Sequence, residues 1–446
     1  MSTTTTSEAA GRTPVKSSPR IRYIQRTALA LLVISGMVNY VDRATLSVAN
    51  IFIQHDLGIS IAGMGLLLSA FLWAYAFSQL PAGGFIDRFG PRFMLGLGLF
   101  LWSAAQIIAG VVTSFTQFIG ARVLLGIGES PQFPCGARVV RDWFNMRSRG
   151  KASGIFNCAS SLGSFVAVPL LTFLMLLFNW RWMFIIMGIA GIIIAIIWWC
   201  LHRDPRHLKL TDEEKAYLTE GDETGHAQRA TWADWRQLFA YRTTWGLMIG
   251  YFGTIYGLWI FTAWLPFYLE HKWHISIART GLLGSIPFFW GVVGALLGGW
   301  IVDLLVRAGF SPMGSRKTQM VIALIGMGIC IVLTPLAPSA TVALCLISGA
   351  LFLSYVCSTT AWAMAAVAAP SKLTASLGAI QNFGGYIGGA LAPLITGLMV
   401  QKTGQFDSAL YVGGAISIVT ALLYLVIVQK PVVPQLDGSL DNAFRA

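Results

Sequence analysis

Charged residues are what this sequence has least of. They make up 11% of its 446 residues, whereas 55% of the residues are hydrophobic. Soluble domains carry about 25% charged residues, because a surface that faces water has to be built from them. The chain therefore lacks the polar shell of a soluble protein of its length, and its composition predicts a membrane protein.

Cysteine and histidine are also scarce, with six of each. The cysteines lie in or at the edges of apolar stretches without CxxC spacing, and the histidines lie in or near loops. No Ser/His/Asp arrangement, metal-ligand cluster or phosphate-binding loop stands out. We therefore expect no disulfide framework, no metal and no enzymatic activity.

The chain is basic, with 31 Lys and Arg against 19 Asp and Glu. Such an excess is typical of proteins that bind nucleic acid, but here the basic residues form short runs between apolar stretches. Runs in that position are topology signals of membrane proteins. Nucleic-acid binding is therefore excluded, and the lipid bilayer is the expected partner.

Twelve apolar stretches are long enough to cross a bilayer as helices, which requires roughly 20 residues each. They lie near 27–51, 60–83, 92–113, 116–141, 152–177, 182–201, 244–268, 281–305, 317–337, 341–366, 374–400 and 408–429. The fold class predicted is an all-α membrane protein with two six-helix halves, 22–201 and 244–430. A disordered tail (1–21), a central loop (202–243) and a second tail (431–446) complete the chain.

The distribution of positive charge sets the orientation. With both termini inside, four of the 31 Lys and Arg fall in outside loops, two fall in spans and the other 25 lie on the cytoplasmic side. This bias is the positive-inside rule. With no targeting signal in the sequence, we expect a multi-pass protein of a bacterial inner membrane, with both tails and the central loop in the cytoplasm.

An internal repeat supports the division into halves. The loop after span two contains Gly83, Gly84 and Asp87, and the loop after span eight repeats the pattern with Gly299 and Asp303. The two aspartates are 216 residues apart, about half of the chain. Parallel duplication of a helical unit is typical of transporters whose substrate site lies between the two halves.

Four charged residues interrupt the apolar spans of the first half: Asp42 and Arg43 in span one, and Arg122 and Glu129 in span four. Each costs about 2.5–3.5 kcal/mol to insert at the centre of a span, so each is a candidate functional residue. Seven residues, or two helical turns, place Arg122 and Glu129 on one face. A purely structural ion-pair network is the competing interpretation, but apolar packing would replace such a network at little cost.

The motifs in these segments resemble the major facilitator superfamily. The stretch from Gly83 to Arg92, its partner near Asp303 and the long central loop resemble the superfamily pattern. The segments 39–49 and 122–144 resemble more narrowly the anion:cation symporter family, above all its proton-coupled galactonate, glucarate and galactarate transporters. The resemblance covers nearly the whole chain and implies transport by alternating access.

The resemblance also implies roles for individual residues. Glu129 and Asp42 would be the proton-coupling acids, and protons the coupling ion in place of any other cofactor. The predicted substrate-binding residues are Tyr40, Arg43, Tyr75, Arg122, Ser160, Thr359, Trp362, Gln381 and Asn382. Asp87, Arg88, Arg92 and Asp303 would form a cytoplasmic gate. Two prolines after Glu129, Pro131 and Pro134, are expected to break the hydrogen bonding of span four.

Charge counting gives these residues a mechanism. With both acids ionised the four groups sum to zero, whereas protonation leaves two arginines that attract a carboxylate. Proton binding and anion binding then favour each other, which is the coupling a symporter needs. We therefore expect a monomeric symporter that takes up a small carboxylate, with a sugar acid such as galactonate, glucarate or a hexuronate as substrate.

Two positions depart from the sugar-acid pattern. Ser160 stands where these transporters typically have glutamine, and Ala361 lacks a hydroxyl that some relatives carry. Both changes make the predicted pocket less polar, so a less hydroxylated or aromatic carboxylate stays open as substrate. An efflux antiporter for drugs and a sensor that binds without transporting also stay open, although two arginines would repel a cationic drug.

Overall fold

The computed structural model describes residues 17–220 and 232–432, and every regular element within those ranges is helical. The first half contains α1 (Pro19–Val48), α2 (Asn50–Leu57), α3 (Ile61–Phe89), α4 (Pro91–Val111), α5 (Phe115–Glu129), α6 (Gln132–Trp143), α7 (Met146–Leu177) and α8 (Trp180–Leu201). The expectation of an all-α chain is confirmed. The predicted disorder of the two tails falls mostly outside the described residues.

The connection between the halves contains a 3-10 turn (Pro205–His207) and two short helices, α9 (Asp212–Leu218) and α10 (Trp232–Leu238). The second half contains α11 (Arg242–Trp273), α12 (Ile277–Leu283), α13 (Ile286–Arg307), α14 (Pro312–Leu333), α15 (Ala340–Ala368), α16 (Ser371–Thr403) and α17 (Asp407–Ile427). A 3-10 turn (Thr334–Leu336) extends α14.

Eleven spans in the described ranges are long and apolar enough to cross a membrane, each formed by one helix or, for α12 and α13, by two in succession. Their outward faces carry large apolar side chains that no other element covers, such as Phe173, Leu296 and Val426. A lipid environment satisfies such faces, because their apolar atoms are kept from water. The predicted fourth span is the one that forms no single long helix.

That fourth span is broken at Ser130 and Pro131. Proline has no N–H to donate, so the helical ladder ends at α5 and restarts at α6, where Cys135 N donates to Pro131 O at 2.9 Å. The break predicted from the prolines is confirmed, and it explains why eleven continuous spans appear where twelve were expected. It also leaves Glu129 as the last residue of α5.

Both described chain ends lie on one face of the bundle, here called the tail face. The side chain of Ser18, before α1, donates to Glu214 of α9 at 2.9 Å, and Thr243 of α11 donates to Lys430 O at 2.6 Å. Glu214 also caps its own helix with Thr211. The Thr211 N–H and then the Ser18 hydroxyl lower the pKa of this carboxyl below its usual value.

The two halves meet tightly at the opposite face. Ser47 donates to Ala263 O at 2.7 Å, and these residues are 216 positions apart, the same offset as the internal repeat. Equivalent positions of α1 and α11 therefore touch at the pseudo-twofold axis. On either side of this contact, Gly65 of α3 lies against Gly397 of α16, and Gly281 of α12 lies against Thr172 of α7.

Helices α3 and α16 form a ladder of contacts from the opposite face to the middle of the bundle. Ser69 donates to Ala390 O at 2.7 Å, and the last rung is Asn382 Nδ2 donating to Gln79 Oε1 at 2.9 Å. One turn further on, Gly83 has no atom within 4 Å of where a side chain would begin. These contacts between the halves lie between the opposite face and the middle of the bundle, and we infer a cleft between the halves that opens toward the tail face.

Candidate functional site

A buried ion pair lies at the inner end of this cleft. Arg43 Nε of α1 donates to Glu129 Oε2 at 2.8 Å, and the two side chains are 3% and 0% exposed. The break after α5 places Glu129 at a helix end beside α1. Two of the four predicted charged residues are therefore brought into direct contact across the helices that the sequence indicated.

Aromatic rings enclose the Arg43 guanidinium. Its carbon lies 4.7 Å from the ring centre of Tyr40, 4.8 Å from that of Tyr75 and 5.3 Å from that of Phe71. Arg122 lies 5.1 Å from the same Phe71 ring, so this ring contacts both arginines. Cation–π contacts of this kind stabilise each charge by roughly 0.5–2 kcal/mol. Phe71 was not among the residues predicted from the sequence to form the site.

Asp42, the neighbour of Arg43 on α1, is buried inside the first half. Gln106 of α4 donates to its backbone carbonyl at 3.1 Å, and the side chain is fully buried. Neither carboxylate oxygen hydrogen bonds to another described residue, and the same holds for both terminal nitrogens of Arg122. Of the four charged residues, here called the charge cluster, only Arg43 and Glu129 therefore form a direct pair. Asp42 and Arg122 interact with this pair at longer range.

The second half contributes an amide and an aromatic ring to the cleft. Asn382 is bonded to Gln79, whose own amide nitrogen donates to Tyr75 OH at 3.3 Å. The Tyr75 ring also lies 4.6 Å from the Tyr386 ring of α16. A continuous chain of contacts thus leads from Glu129 through Arg43, Tyr75 and Gln79 to Asn382.

The other predicted second-half residues have varied environments. Trp362 is half exposed, whereas Gln381 is 1% exposed and its amide makes no hydrogen bond to another described residue. Thr359 Oγ1 bonds to Tyr355 O and Val356 O of its own helix and faces Gly298 of α13. This geometry packs Thr359 against helices of the second half, and its contact with substrate stays a prediction.

Ser160 is likewise turned to its own helix. Its hydroxyl donates to Asn157 O at 2.7 Å, the usual local bond of a serine within a helix. A short side chain held in this way does not extend toward the Arg43 cluster as a glutamine would. In this conformation the Ser160 hydroxyl is engaged by its own helix, and its contact with substrate stays a prediction.

A family model for the Major Facilitator Superfamily matches residues 32–393, with a second match over 269–442. The chain belongs to this superfamily. It is 43% identical to a protein described as a probable L-galactonate transporter of Escherichia coli K12, over 94% of this chain and 92% of the relative. Identity is 34% to a D-galactonate transporter of Escherichia coli O6:H1, over 92% and 96% of the two chains.

A third relative, the probable galactarate/D-glucarate transporter GudP of Bacillus subtilis, is 32% identical over 93% of this chain and 94% of its own. The resemblance to sugar-acid transporters noted in the sequence is therefore confirmed. The protein is a multi-pass membrane transporter and not an enzyme.

Solved superfamily structures share the fold. A D-xylose–proton symporter aligns with a TM-score of 0.74 at 16% identity, covering 91% of this chain and 98% of that one. A bacterial homolog of the human lysosomal transporter Spinster, in an inward-facing unoccupied conformation, aligns with a TM-score of 0.71 at 21% identity, covering 93% and 96%. At such low identities these similarities establish the fold alone.

The superfamily loop after α3 forms its contacts within the first half. Asp87 accepts from Arg138 Nη1 of α6 at 2.7 Å, and Arg138 also pairs with Asp142. Arg88 stacks on Phe89 at 5.3 Å, and Arg92 Nη2 donates to Trp199 O at 2.7 Å.

Asp303, the counterpart of Asp87 in the second half, is exposed on α13. In this conformation, the predicted gate residues Asp87 and Arg92 therefore attach α3 and α4 to neighbouring first-half helices, while Arg88 contacts Phe89 of its own helix. The partner of Asp87, Arg138, was missed from the sequence, although it lies within the segment 122–144 that carries the family resemblance.

Proposed function

We propose that this protein is a proton-coupled symporter that takes up a sugar acid of the galactonate type across a bacterial inner membrane. The observation that carries the proposal is the buried Arg43–Glu129 pair at the end of the cleft, 2.8 Å between Nε and Oε2. The curated relatives are described as transporters of galactonate and of galactarate or glucarate, which supports this substrate class.

Competition for Arg43 explains coupling. While Glu129 is ionised it occupies the guanidinium, and a substrate carboxylate gains little by approaching. Protonation removes that charge and leaves a buried arginine without an anion, a state that typically costs about 3–5 kcal/mol. A carboxylate from the substrate restores the pair, because guanidinium and carboxylate match as bidentate partners. Each ligand therefore raises the affinity for the other.

The rest of the substrate fits the other side of the cleft. The amides of Gln79 and Asn382 can exchange their mutual hydrogen bond for bonds to substrate hydroxyls. The rings of Tyr75 and Tyr386 offer apolar faces for the C–H side of the carbon chain. A hydroxylated carboxylate therefore satisfies both the charged and the amide part of the site.

Alternating access supplies the transport step. The described conformation is closed at the opposite face and open at the tail face, where the predicted topology places the cytoplasm. We infer that substrate and protons leave through this cleft. Separation of Gly65 from Gly397 and of Gly281 from Thr172 would open the other route. The two arginines, Arg43 and Arg122, also disfavour export of cationic drugs, because like charges repel strongly in a low-dielectric interior.

The test is uptake by purified protein in liposomes under an imposed pH gradient. The panel contains galactonate, galactarate, simple hydroxy acids and aromatic carboxylates. We expect accumulation of the sugar acids, abolished by a protonophore. Accumulation that is unchanged without a proton gradient contradicts proton coupling, and preference for aromatic or simple carboxylates contradicts the sugar-acid assignment.

The Glu129→Gln variant tests the competition at Arg43. Glutamine imitates the protonated acid, so we expect exchange of labelled for unlabelled substrate to persist while proton-driven accumulation falls to background. The matched control is Glu213→Gln, which makes the same change at an exposed residue of α9. Full accumulation by the Glu129 variant removes this residue from the mechanism.

A further inference from the structure

Asn39 is a buried amide within the charge cluster that the proposed function leaves without a role. It lies on α1 one turn before Asp42 and is 0% exposed. Neither its oxygen nor its nitrogen hydrogen bonds to another described residue. Such amides are costly to bury, so native proteins satisfy nearly all of them with protein or water.

Other buried polar atoms near Asn39 also lack a hydrogen-bond partner among the described residues. Glu129 uses Oε2 for Arg43, but its Oε1 is buried without a partner among the described residues, as are both carboxylate oxygens of Asp42. Gln132, one turn after Glu129, donates to Ser35 at 2.9 Å and leaves its oxygen unpaired. Glu129 and Gln132 lie where α1 meets the broken helix α5–α6, and Asp42 lies on α1 beside Arg43.

Asn39 precedes Asp42 by three residues and Arg43, the partner of Glu129, by four, so helical periodicity places it close to both acids. Its amide lies near enough to the Glu129 carboxyl to interact with it, although neither amide atom makes a hydrogen bond of ordinary length to a described residue. The acids themselves form no direct bond. Buried waters typically make about three hydrogen bonds to groups of this kind, which suits a position shared by an amide and two carboxyls.

A bound cation is a poorer fit to the same oxygens. The charged groups that face the cluster are Asp42 and Glu129, together with Arg43 from α1 and Arg122 from α5. Two guanidinium groups already balance the two carboxylates, so a metal cation would bring an excess of positive charge into a low-dielectric interior. Water carries no such penalty.

We propose that Asn39 holds a water molecule between Glu129 and Asp42 and so provides the path by which a proton moves from one acid to the other. The inference rests on the proposed function, because it assumes that both acids take part in coupling. Asn39 is a positioning residue here. Its amide nitrogen donates to the water and its oxygen accepts from it, and the amide itself stays in the same protonation state throughout.

The transfer balances as a simple relay. The protonated Glu129 gives its O–H proton to the water oxygen, and the water passes one of its own protons to a carboxylate oxygen of Asp42. The O–H bond of Glu129 breaks, an O–H bond forms on Asp42, and the water is restored. No oxidant, metal or further reactant is needed.

The Asn39→Leu variant removes both hydrogen-bonding atoms and keeps the branched side-chain skeleton. We expect the rate of proton-driven uptake to fall about tenfold or more, while substrate exchange and the KM in exchange change less than about twofold. The matched control is Asn50→Leu, the same substitution at a buried amide of α2 outside the acid pair. It should accumulate substrate at the wild-type rate.

Two further measurements separate a relay from a structural role. Asn39→Ser keeps a hydroxyl that can bind water and should recover part of the lost rate, whereas a structural defect would not be rescued. For the unaltered protein, a high-resolution experimental map should show water within hydrogen-bonding distance of both Asn39 and Glu129. A map in which a bare, dry gap separates them overturns the proposal even if no variant folds.

The outcomes distinguish the two proposals. If the wild-type protein accumulates no sugar acid under a pH gradient, the proposed function is wrong. If the wild type accumulates substrate and Asn39→Leu does so at the same rate, the function stands and the relay is wrong. Dependence of wild-type uptake on sodium would favour a cation in the cluster and also overturns the relay.

Discussion

At the scale of single residues, buried charge identified part of the candidate site from the sequence alone. Charged residues inside apolar spans are rare enough that Arg43 and Glu129 stand out in the sequence, and the structure brings them into contact. Gln79 and Asn39 have no comparable signal, because amides are common in membrane helices as packing groups. Their importance lies in neighbours from distant segments, which no local pattern reveals.

Hydroxyl side chains show what residue type alone leaves undetermined. The motif positions of Thr359 and Ser160 predict substrate contacts, yet both hydroxyls bond to carbonyls of their own helices. The direction of the hydroxyl depends on the rotamer, which packing against neighbours such as Gly298 decides. Residue type therefore predicted a polar atom at these positions but not the direction in which it points.

Gln79 provides the sharpest residue-scale prediction. Gln79→Leu removes the partner of Asn382 and one predicted contact for a substrate hydroxyl. A net hydrogen bond contributes about 0.5–1.5 kcal/mol, so we expect the KM for galactonate to rise between about twofold and tenfold. The KM for a simple hydroxy acid, which does not reach this amide, should change little. Uptake kinetics with both substrates provide the measurement.

The control for this variant is Gln117→Leu, an exposed glutamine near the start of α5 that bonds only to its local turn. It should leave both KM values unchanged. An equal loss for the hydroxylated and the simple acid in Gln79→Leu would show that the residue acts on packing of the halves, and not on recognition of hydroxyls.

At the scale of helices, the sequence predicted most of what is found. Apolar runs located the spans, because a bilayer imposes both their length and their helical form. Prolines located the break in the fourth span. Which helices touch across the two halves was harder to predict, since glycines such as Gly65 and Gly83 look alike in the sequence but lie in a tight seam and beside an open cleft respectively.

The α3–α16 seam gives a prediction at this scale. A Cβ on Gly65 would lie 2.7 Å from Pro393 O, so Gly65→Val cannot be accommodated while the opposite face is closed. Overpacking of this kind typically costs about 1–3 kcal/mol, which corresponds to a shift of roughly 5-fold to 150-fold in population toward a conformation open at that face.

Spin labels at Lys151 and Arg307, both exposed at the tail-face ends of α7 and α13, report the shift. The measured distance between them should shorten in Gly65→Val, because the tail face closes as the other opens. Gly120→Val is the control, since Gly120 has open space around it. Unchanged distances in the Gly65 variant would show that this seam does not limit the conformational equilibrium.

At the scale of the whole molecule, the charges of the cluster are distributed unequally between the halves. All four belong to the first half, while the position equivalent to Arg43 in the second half is Trp259, 216 residues later. The internal repeat predicted that the two halves share an architecture, but not that the buried charged residues lie in one half. Proton chemistry is therefore expected in one half, with the other serving to close around the substrate.

Charge balance across the membrane follows from that arrangement. If two protons accompany one galactonate, each cycle carries one net positive charge, so an inside-negative potential should increase uptake. Galactarate, a dianion, would move without net charge and should respond little. Valinomycin-induced potassium potentials at equal pH on both sides test this difference. Equal responses to the potential by both substrates would contradict two-proton coupling.

The connection between the halves, finally, contacts the first half at its beginning and the second half at its end. Residues up to Glu220 are held to the first half through Ser18, Arg20 and Asn145, while Trp245 of α11 bonds to Phe239 just after α10. The polypeptide between positions 220 and 232 thus connects two parts of the chain, each of which is held to its own half. The gene could accordingly be divided there, and the two fragments made separately should assemble in one membrane into a working carrier.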